Sequence, residues 1–236
     1  METSLAPPHK ASPPLARRVL RKSLVVLTLV LLFFFSFLML RITLEYLPVR
    51  DKAGFLAIKQ EYLPIFHWKI AFFIHVFTSI FALLAGFTQF SKSIRFRWPV
   101  VHRWIGKIYV IDVIFVTGPA GFIMGFYANG GPTSRVSFVL LATLWIFSTA
   151  MAWKRAMQRN FLSHRDWMIR SYALTLSAVA LRGWKWLLVV LFQPHPMDVY
   201  RLVAWLGWVP NLIVAELLIY FWLQYRRKSR TTSALP

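Results

Sequence analysis

Six histidines, eight carboxylates and no cysteine are all that this chain offers for acid–base, metal or redox chemistry, and two of the histidines stand in matching surroundings. His102-Arg103-Trp104 leads to Gly106, Lys107 and Tyr109, and His164-Arg165-Asp166-Trp167 leads to Arg170 and Tyr172. In each stretch a base lies three residues after the Trp and a Tyr five after it. A neutral imidazole can ligate iron or zinc, and it can pass protons near neutral pH. Without cysteine there are no disulfides, no thiolate-held iron–sulfur clusters and no covalently attached c-type haem. His and the carboxylates are then the only strong metal ligands.

These residues sit in a chain built for the bilayer. Its 236 residues are 58% hydrophobic and 15% charged, against about 25% charged in a soluble domain. Apolar runs of about the ~20 residues needed to cross a membrane recur along it. The spans are expected at 23–40, 66–90, 99–127, 136–157, 163–191 and 199–223, with Ser163 as the N-cap of the fifth. The first is read as an uncleaved membrane helix, because no small-residue cleavage site follows it. The fold class is therefore all-α: a polytopic membrane protein of six transmembrane helices, with helices 2–5 as a core four-helix bundle. Residues 1–22 and 226–236 form basic tails on either side of a membrane domain at 23–225.

The net charge of +20 raises the question of nucleic acid, but its distribution answers it. Most of the 28 Lys and Arg fall in the two tails, in the turns after the second and fourth spans, and at the helix starts that follow those turns. The positive-inside rule requires that pattern, and it assigns both termini to the cytoplasm, in a bacterial inner (plasma) membrane. The expected partner is the lipid bilayer, and no nucleic-acid role follows.

Both His-Arg stretches follow a basic turn and open a span running away from it. Spans 2–3 and 4–5 thus read as a parallel repeat about an axis along the membrane normal. A plainer reading is that any such turn collects Arg, Trp and Tyr at the interface. If the repeat holds, His102 and His164 lie at one depth, on spans three and five, and face one another across the bundle. His102, Gly106 and Tyr109 share a helix face, as do His164, Ser171, Thr175 and Arg182 on span five. His75, Gly86 and Gln89 lie on a small, polar stripe of span two, and such stripes face protein, cofactor or water rather than lipid. Asp112 and Glu216 fall inside spans, with Arg170 nearby. They read either as an ion pair of Arg170 with one of the two, or as a proton path or substrate anchor.

His75 with Gly86 and Gln89, then Pro99-x-x-His-Arg-Trp-x-Gly-x-x-Tyr, then His164-Arg-x-Trp-Met-Ile-Arg-Ser-Tyr-Ala-Leu-Thr and Arg182, together resemble a bacterial family of predicted membrane proteins, a domain of unknown function. The resemblance covers about residues 65–225 and implies location and topology. A more distant likeness in layout is to six-helix di-haem cytochrome b reductases, which hold haem between diagonal core helices. That likeness implies His102 and His164 as one ligand pair and His75 as a third ligand. Span four has no His, so a second haem lacks a ligand.

Three function classes follow. The first is b-type haem electron transfer with a redox partner or quinone. His102 and His164 are its metal ligands, Arg103, Lys107 and Arg165 neutralise the propionates, Gly106 gives room for the ring, and Tyr109 or Trp104 packs on it. A metal site of His102, His164 and Asp166 is a minor variant. The second is a lipid- or anion-binding transporter or assembly factor, with Asp112, Glu216 and Arg182 lining a central path. The third is a packing module without chemistry.

Overall fold

The computed structural model describes residues 15–232; His9 and much of the N-terminal tail lie outside the described residues, as do 233–236. The described chain is helical, with no strand. Five helices are long and apolar enough to cross a membrane, at Lys22–Leu44, Phe66–Gln89, Pro99–Phe126, Pro132–Met157 and Pro196–Gln224. A bent pair, Phe161–Thr175 and Ser177–Phe192, passes the same test when taken together and gives a sixth where it forms one span. The expected all-α, six-helix membrane fold is the fold observed.

Local chemistry sets the boundaries. Helix α1 (Leu15–Leu44) is apolar almost all round, and most of its large side chains are exposed on the rim of the bundle. Two 3-10 turns, Gly54–Ile58 and Gln60–Tyr62, order the long connection to α2 (Phe66–Gln89). The basic turn after α2 folds into a short helix, α3 (Lys92–Arg97), capped by Ser91, whose Oγ accepts from Ile94 N at 3.4 Å. Proline opens α4 (Pro99–Ile111) and α6 (Pro132–Met157) at positions where its missing N–H costs nothing. Gly130 and Gly131, at φ +84° and +79°, make the turn before α6.

The fifth span departs from expectation twice. Asn160, not Ser163, is its cap, because Asn160 Oδ1 accepts from Ser163 N at 3.2 Å. The span is also not one helix: α7 (Phe161–Thr175) and α8 (Ser177–Phe192) meet at Leu176 with a 41° bend. The third span carries a further break. Between α4 and α5 (Gly118–Phe126), residues Asp112–Thr117 are π-helical. Pro119 follows after Gly118, and a proline inside a helix removes a donor and crowds the turn before it. The last crossing is α9 (Pro196–Leu206) and α10 (Val209–Thr232). His195 caps α9 by accepting from Met197 N at 3.4 Å.

The second to fifth spans close into a ring. Span two packs on span three, three on four, and four on five, and α7 returns to α2. The Tyr172 hydroxyl donates to the Leu83 carbonyl at 2.8 Å, which closes the ring. Tyr109, Val113, Trp145, Met168, Tyr172 and Leu174 fill its centre. Span six lies outside, held to α6 by Ser137 Oγ to the Ala204 carbonyl (2.8 Å) and Trp208 Nε1 to Ser137 Oγ (2.9 Å).

Tyr172 reaches α2 only because position 86 is glycine: a Cβ there collides with the Tyr172 hydroxyl and ring. Gly183 on α8 has nothing within 4 Å of the same position. Gly86→Ala should therefore destabilise the protein by roughly 1–3 kcal/mol, as overpacked sites do. Gly183→Ala should be neutral or stabilising by up to ~1 kcal/mol through helix propensity. Thermal melting of both variants in detergent checks the pair.

Candidate functional site

Tyr109 joins the third and fifth spans directly. Its hydroxyl lies 2.6 Å from Ser171 Oγ and 2.9 Å from Thr175 Oγ1, both on α7. Thr149 Oγ1 of α6 meets Ser171 Oγ at 2.7 Å, and Trp145 Nε1 donates to Thr175 Oγ1 at 3.0 Å. All of these side chains are buried. Tyr109 is thus committed to a hydroxyl cluster at the bundle centre. The two tyrosines of the repeated pattern differ in use, Tyr109 binding α7 and Tyr172 binding α2. The second stretch has one residue more between His and Tyr, and one residue turns a side chain by about 100°.

His102 and His164 lie toward the basic end of their helices. Their imidazoles are close enough to interact electrostatically. His164 Nδ1 donates to the Ala152 carbonyl at 2.9 Å, which leaves Nε2 open. His102 Nδ1 is buried with no hydrogen-bond partner. Gly106 serves Gln89: its added Cβ would meet Gln89 Oε1 at 3.0 Å, and Gln89 Nε2 donates to the His102 carbonyl at 3.1 Å. Arg103 is exposed. Arg165 pairs with Asp166 at 2.5 Å and lies over the Trp222 ring. Among the described residues no three His, Asp or Glu come together as a metal site.

The intramembrane charges sort into two places. Arg170 takes Glu216, with contacts of 2.5 and 2.8 Å. Asp112 goes elsewhere, accepting from Thr117 Oγ1 at 2.5 Å within the π-helical turn. Neither carboxylate lines the central cavity.

A cavity of about 460 Å³ opens in the bundle at the end away from the basic turns. Its wall is largely apolar, from residues such as Met39, Phe72, Leu141 and Trp145. Four Lys, Arg and His side chains break the apolar surface: Lys59, His75, Arg182 and Lys185. No Asp or Glu lines it, and among the described residues none of Lys59, Arg182 and Lys185 is in an ion pair.

Each base is placed by an identifiable piece of backbone. The 3-10 turn Gly54–Ile58 ends at Lys59, which is only 1% exposed. Lys59 Nζ donates to the Tyr127 carbonyl at the end of α5 and lies 4.4 Å from the centre of the Tyr62 ring. Burial pulls the Lys59 ammonium down to about 8. His75 is seated by two features of the third span. Its Nδ1 lies 3.0 Å from the Thr117 carbonyl of the π-helical turn, and it packs where Gly121 has no side chain, since a Cβ there would come within 2.9 Å of the ring. Arg182 and Lys185 project from α8, beyond the bend, where no residue of the helix is buried. Arg182 Nη1 donates to the Ala178 carbonyl one turn back at 2.8 Å.

His75 and Arg182, singled out by sequence, therefore come together in one cavity, while His102, His164, Arg165 and Glu216 stand outside it. Lys59 and Lys185 escape sequence reasoning. Lys185 carries a usable signal, being three residues from Arg182 and so on the same helix face. Lys59 carries none, since it reads as one of several charges in a connection.

No curated protein and no solved structure shows detectable similarity to the chain. A family match covers residues 72–219, from the second span to the sixth, and its description is "predicted membrane protein" (DUF2306). That stretch includes His75, both His-Arg helix starts, the π-helical turn and Arg182, and the chain belongs to this membrane-protein family.

Proposed function

We propose that this protein binds an anionic amphiphile in the cavity, as a lipid- or anion-handling transporter or assembly factor. The carrying observation is the set of Lys59, Arg182 and Lys185, with His75, in an apolar cavity that contains no carboxylate. Lys59 is buried, and Arg182 and Lys185 face the cavity with no ion pair among the described residues; an incoming carboxylate or phosphate supplies the missing counter-charge. The apolar remainder of the wall suits a hydrocarbon tail, and clefts of this size fall within the usual range of ligand sites. Two sources share that chemistry, a free fatty acid and an anionic phospholipid. The crowding of bases at the opposite end supports an outer-half position for the cavity under the positive-inside rule.

Binding of spin-labelled stearate and of phosphatidylglycerol to the protein in phosphatidylcholine nanodiscs tests this reading and separates the sources. Arg182→Gln should weaken the bound species about tenfold or more, since a hydrogen bond to a charged group is worth roughly 1.5–3 kcal/mol and 1.4 kcal/mol is tenfold. Unchanged affinity of both probes in Arg182→Gln and Lys185→Gln overturns it.

The pH dependence has a definite sign. Lys59 is charged below about 8 and neutral above, so affinity should fall as pH rises through that value. Lys59→Gln should bind more weakly below it and lose that limb of the profile. The same shift makes folding stability rise with pH between about 8 and the model-compound value of 10.5, because the unfolded chain holds the proton longer there.

A second reading, b-type haem, is supported by His164. The Nδ1 bond to the Ala152 carbonyl is the arrangement that orients a ligating imidazole and leaves Nε2 for a metal. His102, with its orphaned buried Nδ1, stands near it. Bound haem would supply one-electron chemistry. Absorbance of protein expressed with haem supplied decides this: a Soret band lost in both His102→Ala and His164→Ala supports it, and no band in the native protein ends it.

A further inference from the structure

Asp112 stands apart from the site just described. It is 8% exposed, and one oxygen, Oδ1, accepts from Thr117 Oγ1 at 2.5 Å. The other, Oδ2, is buried with no hydrogen-bond partner. The remaining aspartates, Asp51, Asp166 and Asp198, all pair with a base. A charged carboxylate with one bare, buried oxygen is a costly arrangement. A proton on that oxygen removes the charge.

We infer that Asp112 is an intramembrane proton-binding site, linked through Thr117 to the cavity. Among the described residues no ion pair holds it ionised. From α2, Thr78 Oγ1 lies 2.5 Å from Thr117 Oγ1, and His75 holds the Thr117 carbonyl instead of the carboxylate. On its own span the nearest ionisable neighbour is Tyr109, committed to Ser171 and Thr175. From α6, Ile146 packs against Gly118. Arg182 of α8 acts electrostatically on His75 from the cavity side.

Thr117 is where the proton and the cavity meet. Its side chain binds Asp112 and Thr78, and its carbonyl binds His75, whose ring lines the cavity. His75 and Thr78 are one turn apart on the same face of α2. A displacement of His75 therefore pulls on the residue that bonds Oδ1. The π-helical geometry of Asp112–Thr117 makes this junction, with a carbonyl turned to His75 and a hydroxyl turned to the carboxyl. Such turns recur at functional sites.

Infrared spectroscopy of the full chain in nanodiscs tests the inference without a ligand, so its failure is separate from failure of the binding proposal. With carboxyl-13C aspartate incorporated, an isotope-shifted carbonyl band of a protonated acid should be present at neutral pH. Asp112→Asn should remove it, and Thr117→Val should move it by freeing Oδ1. No isotope-shifted acid band overturns the proton site, and that result needs no variant to fold. His75→Leu should also move the band, and an unmoved band overturns the link to the cavity.

Discussion

Hydrocarbon offers no hydrogen-bond partner, and the polar side chains within these spans are arranged around that fact. Tyr109, Ser171, Thr149, Thr175 and Trp145 satisfy one another at the bundle centre. Tyr172 spends its hydroxyl on a carbonyl of α2, and His164 spends a ring nitrogen on one of α6. Each bond crosses between helices, so satisfying the group also fixes the neighbour. The ring of spans is held where lipid-like packing alone would discriminate poorly between alternatives. Against this background the buried atoms without a partner stand out, among them His102 Nδ1 and Asp112 Oδ2.

The two broken spans produce the site. In the third span the π-helical turn ends on Thr117, whose carbonyl meets His75 Nδ1 and whose hydroxyl meets Asp112. A straight fifth span would carry α8 on in line with α7, and Arg182 and Lys185 would occupy different positions. Gly121 completes the arrangement, since any side chain there meets the imidazole. The site therefore depends on departures from ideal helix more than on any helix itself.

That dependence explains what could be read from sequence. The spans are legible because length and apolarity decide them, and the basic turns because charge does. The Arg170–Glu216 pair is legible as one of two options, whereas the contact of the third and fifth spans is not, since the repeated pattern sets their depth but not whether they touch. His75 and Arg182 stand out because polar residues within spans are rare. The π-helical turn is not legible: Pro119 signals a disturbance but not its register. Nor is Lys59, whose burial depends on how residues 54–62 fold over the ends of α2 and α5. The Arg170 alternatives could not be separated either, because choosing between Asp112 and Glu216 requires knowing which way each helix is turned.

The helix α8 has a property that bears on how selective the cavity is. None of its residues is buried, yet Leu181, Arg182 and Lys185 form part of the cavity wall. A wall with so little packing to lose yields at small energetic cost, whereas the walls from α2 and α6 are anchored in the core. The cavity is stiff on two sides and compliant on the third. For the amphiphile proposed above, such a container would grade ligands by headgroup charge more sharply than by tail length.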